Sequence, residues 1–176
     1  MTAVSLLAAL GLVDAPQPLI ALTGGGGKSS LLLTLGEALA RRGDRVILTT
    51  TTRLFAHQAD RPEALRLSTF AADAAHDPAI GQILDRLGIC LITGPQQGSK
   101  VQGVPPTLPA QLLARDDVEA VVVEADGSRQ RPIKAPAAHE PVVPPDASLV
   151  VVVVGVDALQ RPWRETIHRI PQFRTL

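Results

Sequence analysis

Cysteine is almost absent from this sequence. Cys90 is the only cysteine among the 176 residues, which excludes an internal disulfide bond and any metal site built from several cysteines. Its neighbours are apolar, with Ile89 on one side and Leu91 and Ile92 on the other. These neighbours indicate a buried strand, in which a core thiol is a commoner finding than a reactive one.

Aromatic residues are also scarce, at 2% of the chain, although hydrophobic residues make up 45%. The core must therefore be built from leucine, valine, alanine and isoleucine. A chain of 176 residues is long enough to bury most of its apolar surface in one domain. We therefore expect a single domain over residues 1–176.

No charge of one sign dominates, because 17 basic residues stand against 17 acidic ones. This balance leaves no electrostatic footprint for nucleic acid or for an anionic membrane, so neither is expected as a partner. The longest apolar run, Leu149 to Val156, is too short to span a bilayer. The N-terminal stretch has no basic segment and is interrupted by Asp14, so we expect no signal peptide and a cytoplasmic location.

Glycine, in contrast, is concentrated in one segment. An apolar run from Leu19 to Leu22 predicts a strand, and a leucine-rich pattern from Lys28 to about Arg42 predicts a helix. In a phosphate loop between a strand and a helix, glycine N–H groups close around phosphate oxygens, a lysine reaches the β- and γ-phosphates, and a serine hydroxyl ligates Mg²⁺. The residues expected to form such a cradle are Gly24, Gly25, Gly26, Gly27, Lys28, Ser29 and Ser30.

The spacing of this segment departs from the usual phosphate loop. The pattern G-x-x-x-x-G-K-[ST] would place its first glycine at Leu22, whereas the glycine run begins at Gly24. The alternative interpretation is a flexible linker before a helix. Because a linker requires neither a buried strand before it nor a Lys-Ser pair after it, we favour the phosphate loop.

Strand and helix patterns alternate along the chain. Further strands are predicted at Arg45–Thr52, Ile89–Thr93, Val118–Ala125 and Leu149–Val154, and helices at Val4–Leu12, on both sides of Pro78 within Asp60–Leu87, and to about Ala114 after a loop over Pro95–Pro109. The valine runs indicate strands that are buried on both faces, as in a parallel sheet covered by helices. The sequence therefore predicts a doubly wound α/β fold of P-loop type, with a mostly parallel sheet and helices on both faces.

Two carboxylates stand at the end of the valine-rich strand Val118–Ala125. Glu124 and Asp126 are two residues apart, so they project from the same side of the strand end, where ligands bind in open α/β sheets. We expect Lys28, Glu124 and Asp126 to be catalytic, with Asp126 and Ser29 holding Mg²⁺ and Glu124 positioning water. The alternative is that both carboxylates simply mark the exit of a strand into solvent, but the presence of Lys28 and Ser29 favours a site.

Polar residues follow other strands on the same side of the sheet. Thr51 and Thr52 are candidates for contact with the nucleotide or its Mg²⁺, although a run of threonines also fits plain β propensity. Arg129 and Lys134 stand in the polar loop after the acidic pair and are further candidates for nucleotide contact. Lysine is rare beside 14 arginines, which favours a site role for its compact charge; the three lysines are Lys28, Lys100 and Lys134.

Two further positions remain open to interpretation. The pair His139-Glu140 is either a metal-binding or proton-transfer pair, or a surface histidine beside a carboxylate, which is commoner when only one histidine is local. Asp157 ends the fifth strand, where guanine-specific enzymes place Asn-Lys-x-Asp, but the asparagine and lysine are missing here. We therefore expect ATP to be preferred or matched over GTP, and Asp157 to cap a turn.

Five segments follow one another along the chain in this order: GGGGKSS, TTTTRL, KVQGVPP, VEADGSRQRPIKAPAAHEPVVP and VVGVDAL. Together they resemble a known family, the selenium-dependent hydroxylase accessory proteins, or YqeC-like proteins. The resemblance covers about Leu19 to His168. It implies a P-loop NTPase-like protein linked to maturation of molybdenum hydroxylases that carry labile selenium. The family's phosphate-loop role falls on Gly24 to Ser29 and its acidic motif on Glu124, Asp126 and Gly127. Proteins of this kind usually continue beyond His168-Arg169, so a truncated C-terminus is one interpretation and a native C-terminus is the other.

Three functions are compatible with these residues. The first is an accessory NTPase that uses Mg²⁺ and ATP, or another nucleoside triphosphate, to deliver a group to a client molybdenum hydroxylase or its maturation machinery. The second is a small-molecule kinase-type phosphotransferase whose acceptor is bound by the loop from Ser128 to Pro141. The third is a non-catalytic nucleotide-binding partner protein. The sequence indicates no particular oligomeric state.

Overall fold

The architecture is that of an open α/β sheet, seen in a computed structural model that describes residues 5–61, 63–67 and 74–174. The strands are β1 (Leu19–Gly24), β2 (Val46–Thr50), β3 (Leu54–Phe55), β4 (Ala64–Arg66), β5 (Ile89–Thr93), β6 (Gln96–Gln97), β7 (Lys100–Val101), β8 (Ala120–Glu124), β9 (Ile133–Lys134), β10 (Leu149–Val153) and β11 (Ile167–His168). The α-helices are α1 (Leu6–Ala9), α2 (Lys28–Arg42), α3 (Ala56–Ala59), α4 (Pro78–Leu87), α5 (Leu108–Leu113), α6 (Trp163–Thr166) and α7 (Ile170–Phe173).

Six of these strands form one sheet, in the spatial order β10-β1-β8-β2-β5-β4. Every neighbouring pair in it is parallel, so the carboxyl ends of all six strands meet at one edge. The strand β1 lies between β10 and β8. The glycine loop that follows β1 therefore emerges beside the acidic end of β8.

Helices cover both faces of the sheet, and each face has its own apolar core. On one face, leucines of α2 such as Leu35 and Leu39 pack with Leu22 and Leu48 of the sheet. On the other face, Ile80 and Leu84 of α4 and Leu112 of α5 pack with alternate residues of β2, β5 and β8. The predicted doubly wound α/β fold class is confirmed. Among the described residues, no helix is long and apolar enough to cross a membrane.

The elements with strong local signals lie where the sequence predicts them. The helix α2 spans Lys28–Arg42 and ends at Gly43, whose φ of 106° is the left-handed conformation typical of a helix stop. The strand β5 spans Ile89–Thr93 as predicted. The second strand is shorter than predicted, because β2 ends at Thr50 and the chain bends over residues 51–52. The predicted first helix is reduced to Leu6–Ala9, and Val4 lies outside the described residues.

The described part of Asp60–Leu87 contains one of the two predicted helices. The helix α4 begins at Pro78, where a proline suits the first turn, and the side chain of Asp77 accepts a hydrogen bond from the Ala79 N–H. The prediction of a helix before Pro78 is wrong where the chain is described, because residues 64–66 form the edge strand β4, which pairs with β5, and residues 74–76 form one turn of 3₁₀-helix. Residues 62 and 68–73 lie outside the described part.

A small second sheet interrupts the predicted loop over Pro95–Pro109. The strands β6 and β7 form an antiparallel hairpin, and β7 also pairs with β3. Gly103, just after β7, approaches the backbone of Thr51 and Thr52 so closely that a Cβ atom would lie 2.4 Å from the Thr51 carbonyl carbon. The small sheet is therefore fixed to the end of β2.

The prediction that the valine-rich strands are buried on both faces holds for β8 and is wrong for β10. All five residues of β8 are buried, since it lies inside the sheet. The strand β10 is at the sheet edge and alternates between partly buried and exposed residues, with Val152 71% exposed. Among the described residues no helix covers that face of β10.

The C-terminal segment folds back beside the loop that follows β8. The strand β11 pairs with β9 in parallel, with Ile167 opposite Ile133 and His168 opposite Lys134. The preceding helix α6 begins at Trp163, which is 41% exposed. Two guanidinium groups lie near the centre of its ring, that of Arg164 at 4.9 Å and that of Arg174 at 5.3 Å.

Candidate functional site

A cavity of about 800 Å³ opens at the carboxyl edge of the large sheet. The residues of the sequence-predicted site that line it are Gly25, Gly26, Gly27, Lys28, Ser29, Ser30, Thr52, Glu124 and Arg129. The other predicted residues do not line it: Gly24, Thr51, Asp126 and Lys134. The structure thus brings the glycine loop, one carboxylate and one arginine together at one cavity, with Asp126 and Lys134 buried next to them.

The glycine loop presents a row of unused backbone donors to this cavity. Gly27 precedes α2 with a φ of 98°, a left-handed conformation that favours glycine. In the described part of the chain, none of the backbone N–H groups of residues 26–30 has an acceptor. These five donors stand at the N-terminus of a 15-residue helix, where the helix dipole attracts anions.

Gly25 is required by the close approach of the loop after β8. A Cβ atom at this position would lie 1.8 Å from the carbonyl oxygen of Pro132, far inside van der Waals contact. The Gly25 N–H donates to the Val153 carbonyl at 2.6 Å, and the Gly155 N–H donates to the Pro132 carbonyl at 2.9 Å. The segment around Pro132 therefore packs directly on the glycine loop and fixes its course.

Lys28 is almost fully buried at the base of the cavity, with 3% exposure. Its ammonium donates to the carbonyl oxygens of Gly24 and Gly25 at 2.8 and 2.9 Å. It also forms an ion pair of 3.2 Å with Asp126 Oδ1. The other carboxylate oxygen of Asp126 accepts the Gly24 N–H at 3.1 Å, so Asp126 binds both the loop and its lysine.

Ser29 and Glu124 form a separate pair on the cavity wall. The Ser29 hydroxyl donates to Glu124 Oε2 at 2.8 Å, and Gln58 Nε2 donates to the Ser29 oxygen at 3.4 Å. Glu124 is 5% exposed. Burial raises the pKa of Glu124 above its ordinary value, and the charge of Asp126 adds to this, against the opposing effects of Ser29 and Lys28. A cation bound near this carboxyl group would therefore stabilise its charged form.

Beside the glycine loop lies a line of five side chains of alternating charge, which we call the charge chain: Lys28, Asp126, Lys134, Glu140 and Arg169. Of these, Lys28, Glu140 and Arg169 also line the cavity. Lys134 Nζ lies 3.2 Å from Asp126 Oδ2 and also pairs with Glu140, which pairs in turn with Arg169. Although burial alone would raise it, the pKa of Glu140 is lowered by the hydrogen bonds and charges of Lys134 and Arg169. The charge chain connects the glycine loop to the C-terminal segment.

His168 and Arg169 bring the C-terminal segment to the cavity rim, where both line the cavity. Burial lowers the pKa of His168, and the positive charges of Arg169, Lys134 and Arg129 lower it further. These effects favour the neutral imidazole, which adds a polar group without a charge.

Several cavity residues were not predicted as site residues from the sequence: Arg53, Phe55, Gln58, His168 and Arg169. Lys100, for which the scarcity of lysine favoured a site role, does line the cavity. Arg53 had a signal, because it stands in TTTTRL, a segment that carries the family resemblance. Phe55 and Gln58 had none, because the pairing of β3 with β7 that brings them to the cavity leaves no local pattern.

Three other residues with sequence-based roles lie away from the cavity lining. The Thr51 hydroxyl donates to the Val142 carbonyl at 2.6 Å, which ties the end of β2 to the loop before β10. His139 Nε2 lies 3.7 Å from Glu140, and the His139 side chain is 78% exposed. Asp157 is exposed in a turn of 3₁₀-helix after β10. Among the described residues, no group of three or more histidine, cysteine, aspartate or glutamate side chains is arranged to hold a metal ion.

An all-parallel sheet with a glycine loop between its first long strand and the following helix defines an α/β protein of the Rossmann/P-loop-like class. The YqeC protein family matches residues 20–171. The chain is also similar to a protein of Escherichia coli (strain K12) named "Uncharacterized protein YqeC", with 36% identity over 155 residues. The aligned region is 88% of this chain and 58% of that relative. The chain therefore belongs to the YqeC family.

Proposed function

We propose that this protein binds a nucleoside triphosphate with Mg²⁺ at the glycine loop and hydrolyses it in the maturation of selenium-dependent molybdenum hydroxylases. The observation that supports nucleotide binding most directly is the row of unused N–H groups at residues 26–30, next to the buried ammonium of Lys28. A row of backbone donors at a helix N-terminus with a lysine beside it is suited to phosphate oxygens. The resemblance of the sequence to accessory proteins of such hydroxylases supports the cellular role.

The Ser29–Glu124 pair fits Mg²⁺ in its chemistry. Mg²⁺ takes oxygen ligands and, in nucleotide sites, is held by one or two protein groups together with phosphates, which agrees with a site of one hydroxyl and one carboxylate. We propose Glu124 as the carboxylate of this site, in place of Asp126, because Asp126 is already engaged by Lys28 and Lys134. When bound, Mg²⁺ supplies neutralisation of phosphate charge.

Asp126 then has a positioning role. Its two oxygens hold the Gly24 N–H and the Lys28 ammonium, so it fixes both the course of the loop and the direction of the lysine. Lys28 also donates to two backbone carbonyls, and a charged phosphate oxygen is a stronger acceptor than either. Lys28 can therefore turn to a phosphate while Asp126 keeps it at the loop.

A small-molecule phosphotransferase is the second candidate, and the size of the cavity favours it. A volume of about 800 Å³ lies near the upper end of the range for small-molecule sites. The cavity is also lined by two cations outside the glycine loop, Arg53 and Lys100. A phosphotransferase needs that additional space for an acceptor, whereas a simple hydrolase needs only water.

Calorimetric titration with the Mg²⁺ complexes of ATP, GTP and CTP tests nucleotide binding. Lys28→Ala should weaken binding by about ten- to hundred-fold, because a charge-assisted contact is worth ~1.5–3 kcal/mol. Arg86→Ala is the control, since Arg86 is an exposed cation on α4 that does not line the cavity. Unchanged affinity in Lys28→Ala would contradict the proposal.

Product analysis then separates the functions. Hydrolysis that rises when a molybdenum hydroxylase is added supports the accessory role, and transfer of labelled phosphate to a small acceptor supports the second candidate. Binding without turnover supports a non-catalytic nucleotide-binding partner. Glu124→Gln should reduce the dependence of nucleotide affinity on Mg²⁺, and Asp126→Asn should reduce affinity with or without Mg²⁺. If instead Asp126→Asn reduced the dependence on Mg²⁺ and Glu124→Gln did not, Asp126 would be the carboxylate that binds Mg²⁺.

A further inference from the structure

Three cations that line the cavity lie outside the charge chain: Arg53, Lys100 and Arg129. We call this set the cationic wall. We propose that the cationic wall binds a second substrate, a small molecule that carries a phosphate group, beside the nucleotide. This inference rests on the proposed function, because it assigns the remainder of the same cavity.

The small sheet of β3 and β7 holds two residues of the cationic wall, Arg53 and Lys100, in place. Phe55 of β3 and Lys100 of β7 are directly paired across the small sheet, and the Lys100 ammonium lies 5.0 Å from the centre of the Phe55 ring. This cation–π contact directs the ammonium without neutralising it. Arg53 immediately precedes β3, and the close packing of Gly103 on residues 51–52 fixes this sheet to the end of β2.

The charges of the cationic wall are not balanced by carboxylates. Within the described ranges 5–61, 63–67 and 74–174, none of its three side chains forms a salt bridge. The two carboxylates that line the cavity are engaged elsewhere, Glu124 with Ser29 and Glu140 with the charge chain. Because the whole chain has zero net charge, the excess of positive charge is a local property of this cavity.

The backbone that carries Arg129 is strained. Arg129 and Gln130 have φ values of 50° and 61°, and two successive residues other than glycine in this left-handed region are unfavourable. Both residues line the cavity, and the loop is held in place by the packing of Pro132 on Gly25. Strain that the surrounding structure maintains is found most often at ligand sites.

The chemistry of the cationic wall identifies the class of ligand. Two guanidinium groups and one ammonium favour a phosphate, which carries up to two negative charges and several acceptor oxygens, over a singly charged carboxylate. The cavity volume of about 800 Å³ leaves room for this ligand next to a nucleotide. The nucleotide phosphates belong at the glycine loop, so the cationic wall takes a separate anion.

The test is a titration of the full chain, first saturated with Mg²⁺ and a non-hydrolysable ATP analogue, with inorganic phosphate as the probe. The double variant Arg53→Gln/Lys100→Gln should bind phosphate at least tenfold more weakly than the unmodified protein. Arg86→Gln, the exposed control on α4, should bind it equally well, and acetate should bind at least tenfold more weakly than phosphate. Thermal unfolding should show that all variants are folded.

Equal phosphate affinity in the double variant and the unmodified protein would overturn the inference. It would also fail if phosphate bound only to nucleotide-free protein and Lys28→Ala abolished that binding, since the probe would then occupy the glycine loop. If the unmodified protein does not bind nucleotide, this result contradicts the proposed function but not the inference about the cationic wall. The cationic wall is then tested by the nucleotide-free titration, which the double variant should weaken and Lys28→Ala should not.

Discussion

Lys134 is the central cation of the charge chain, and replacing it with methionine tests how much this chain stabilises the fold. Its ammonium lies 3.2 Å from Asp126 Oδ2, donates to the Gly127 carbonyl at 2.7 Å and pairs with Glu140. The side chains of Lys134, Asp126 and Glu140 are 1%, 3% and 12% exposed, so water cannot replace these contacts. Removing one partner of a buried ion pair costs about 3–5 kcal/mol.

Methionine fills a volume similar to that of the lysine stem, so the loss should come from the charge and not from a cavity. In a chain of this length, 1 kcal/mol shifts the melting temperature by roughly 2–4 °C. Lys134→Met should therefore melt about 6–20 °C below the unmodified protein. Urea unfolding followed by circular dichroism gives the corresponding free energy of unfolding.

Lys100→Met is the matched control, because Lys100 is exposed and forms no ion pair in the described part of the chain. Its effect on stability should stay within about 1 kcal/mol, because the substitution removes only the cation–π contact with Phe55. The double variant Lys134→Met/Glu140→Gln should be less destabilised than the sum of its two single variants, with a coupling energy of about 0.5–3 kcal/mol. The reasoning is refuted if Lys134→Met is no less stable than Lys100→Met, or if the double variant is strictly additive.

Three further predictions concern separate parts of the molecule. The folded-state pKa of Glu140 lies below its ordinary value of 4.5, so its carboxylate stabilises the fold above pH 4.5, and this contribution is lost as the pH falls through the lower folded value. Glu140→Gln should therefore flatten the acid limb of a curve of stability against pH. An unchanged acid limb would contradict the assignment. Gly25→Ala should destabilise the fold by about 1–3 kcal/mol or more in thermal unfolding, since its Cβ would lie 1.8 Å from the Pro132 carbonyl oxygen. Gly26→Ala is the control and should not destabilise the fold, because its Cβ would lie 3.5 Å from the nearest atom. Burial, with the nearby charge of a glutamate, raises the pKa of Cys90 to about 12, so a thiol reagent at pH 8 should label it only at the rate of unfolding; rapid labelling of the folded protein would be inconsistent with the buried strand.

Local signals in the sequence were sufficient to predict the central part of the fold. The helix α2 has a glycine loop before it, a leucine periodicity within it and Gly43 after it, and all three act within a few residues of the helix. The pairing of β3 with β7 brings together segments about 45 residues apart, and strands of two residues have no periodicity to detect. Gly103 packs against the end of β2, and this contact between distant segments is also invisible in the local sequence.

The candidate site also has features that local sequence patterns predict and features that they do not. The glycine loop and the two carboxylates could be read from the sequence, because each is a short segment with a specific composition. Which carboxylate contacts Ser29 depends on the register of β1 against β8, in which Leu22 lies opposite Glu124, and no local pattern reveals a register. The valine runs of β8 and β10 are also alike in composition, and only their places in the sheet make one buried and the other partly exposed.

The position of Trp163 makes the molecule its own spectroscopic probe. The chain contains one tryptophan and no tyrosine, so its intrinsic fluorescence originates almost entirely from this one ring. The ring lies in the segment that continues through β11 to His168 and Arg169 at the cavity rim, and the aliphatic core contributes no emission. A change of intensity or wavelength on adding a ligand would therefore report a rearrangement of the C-terminal segment, without an attached dye.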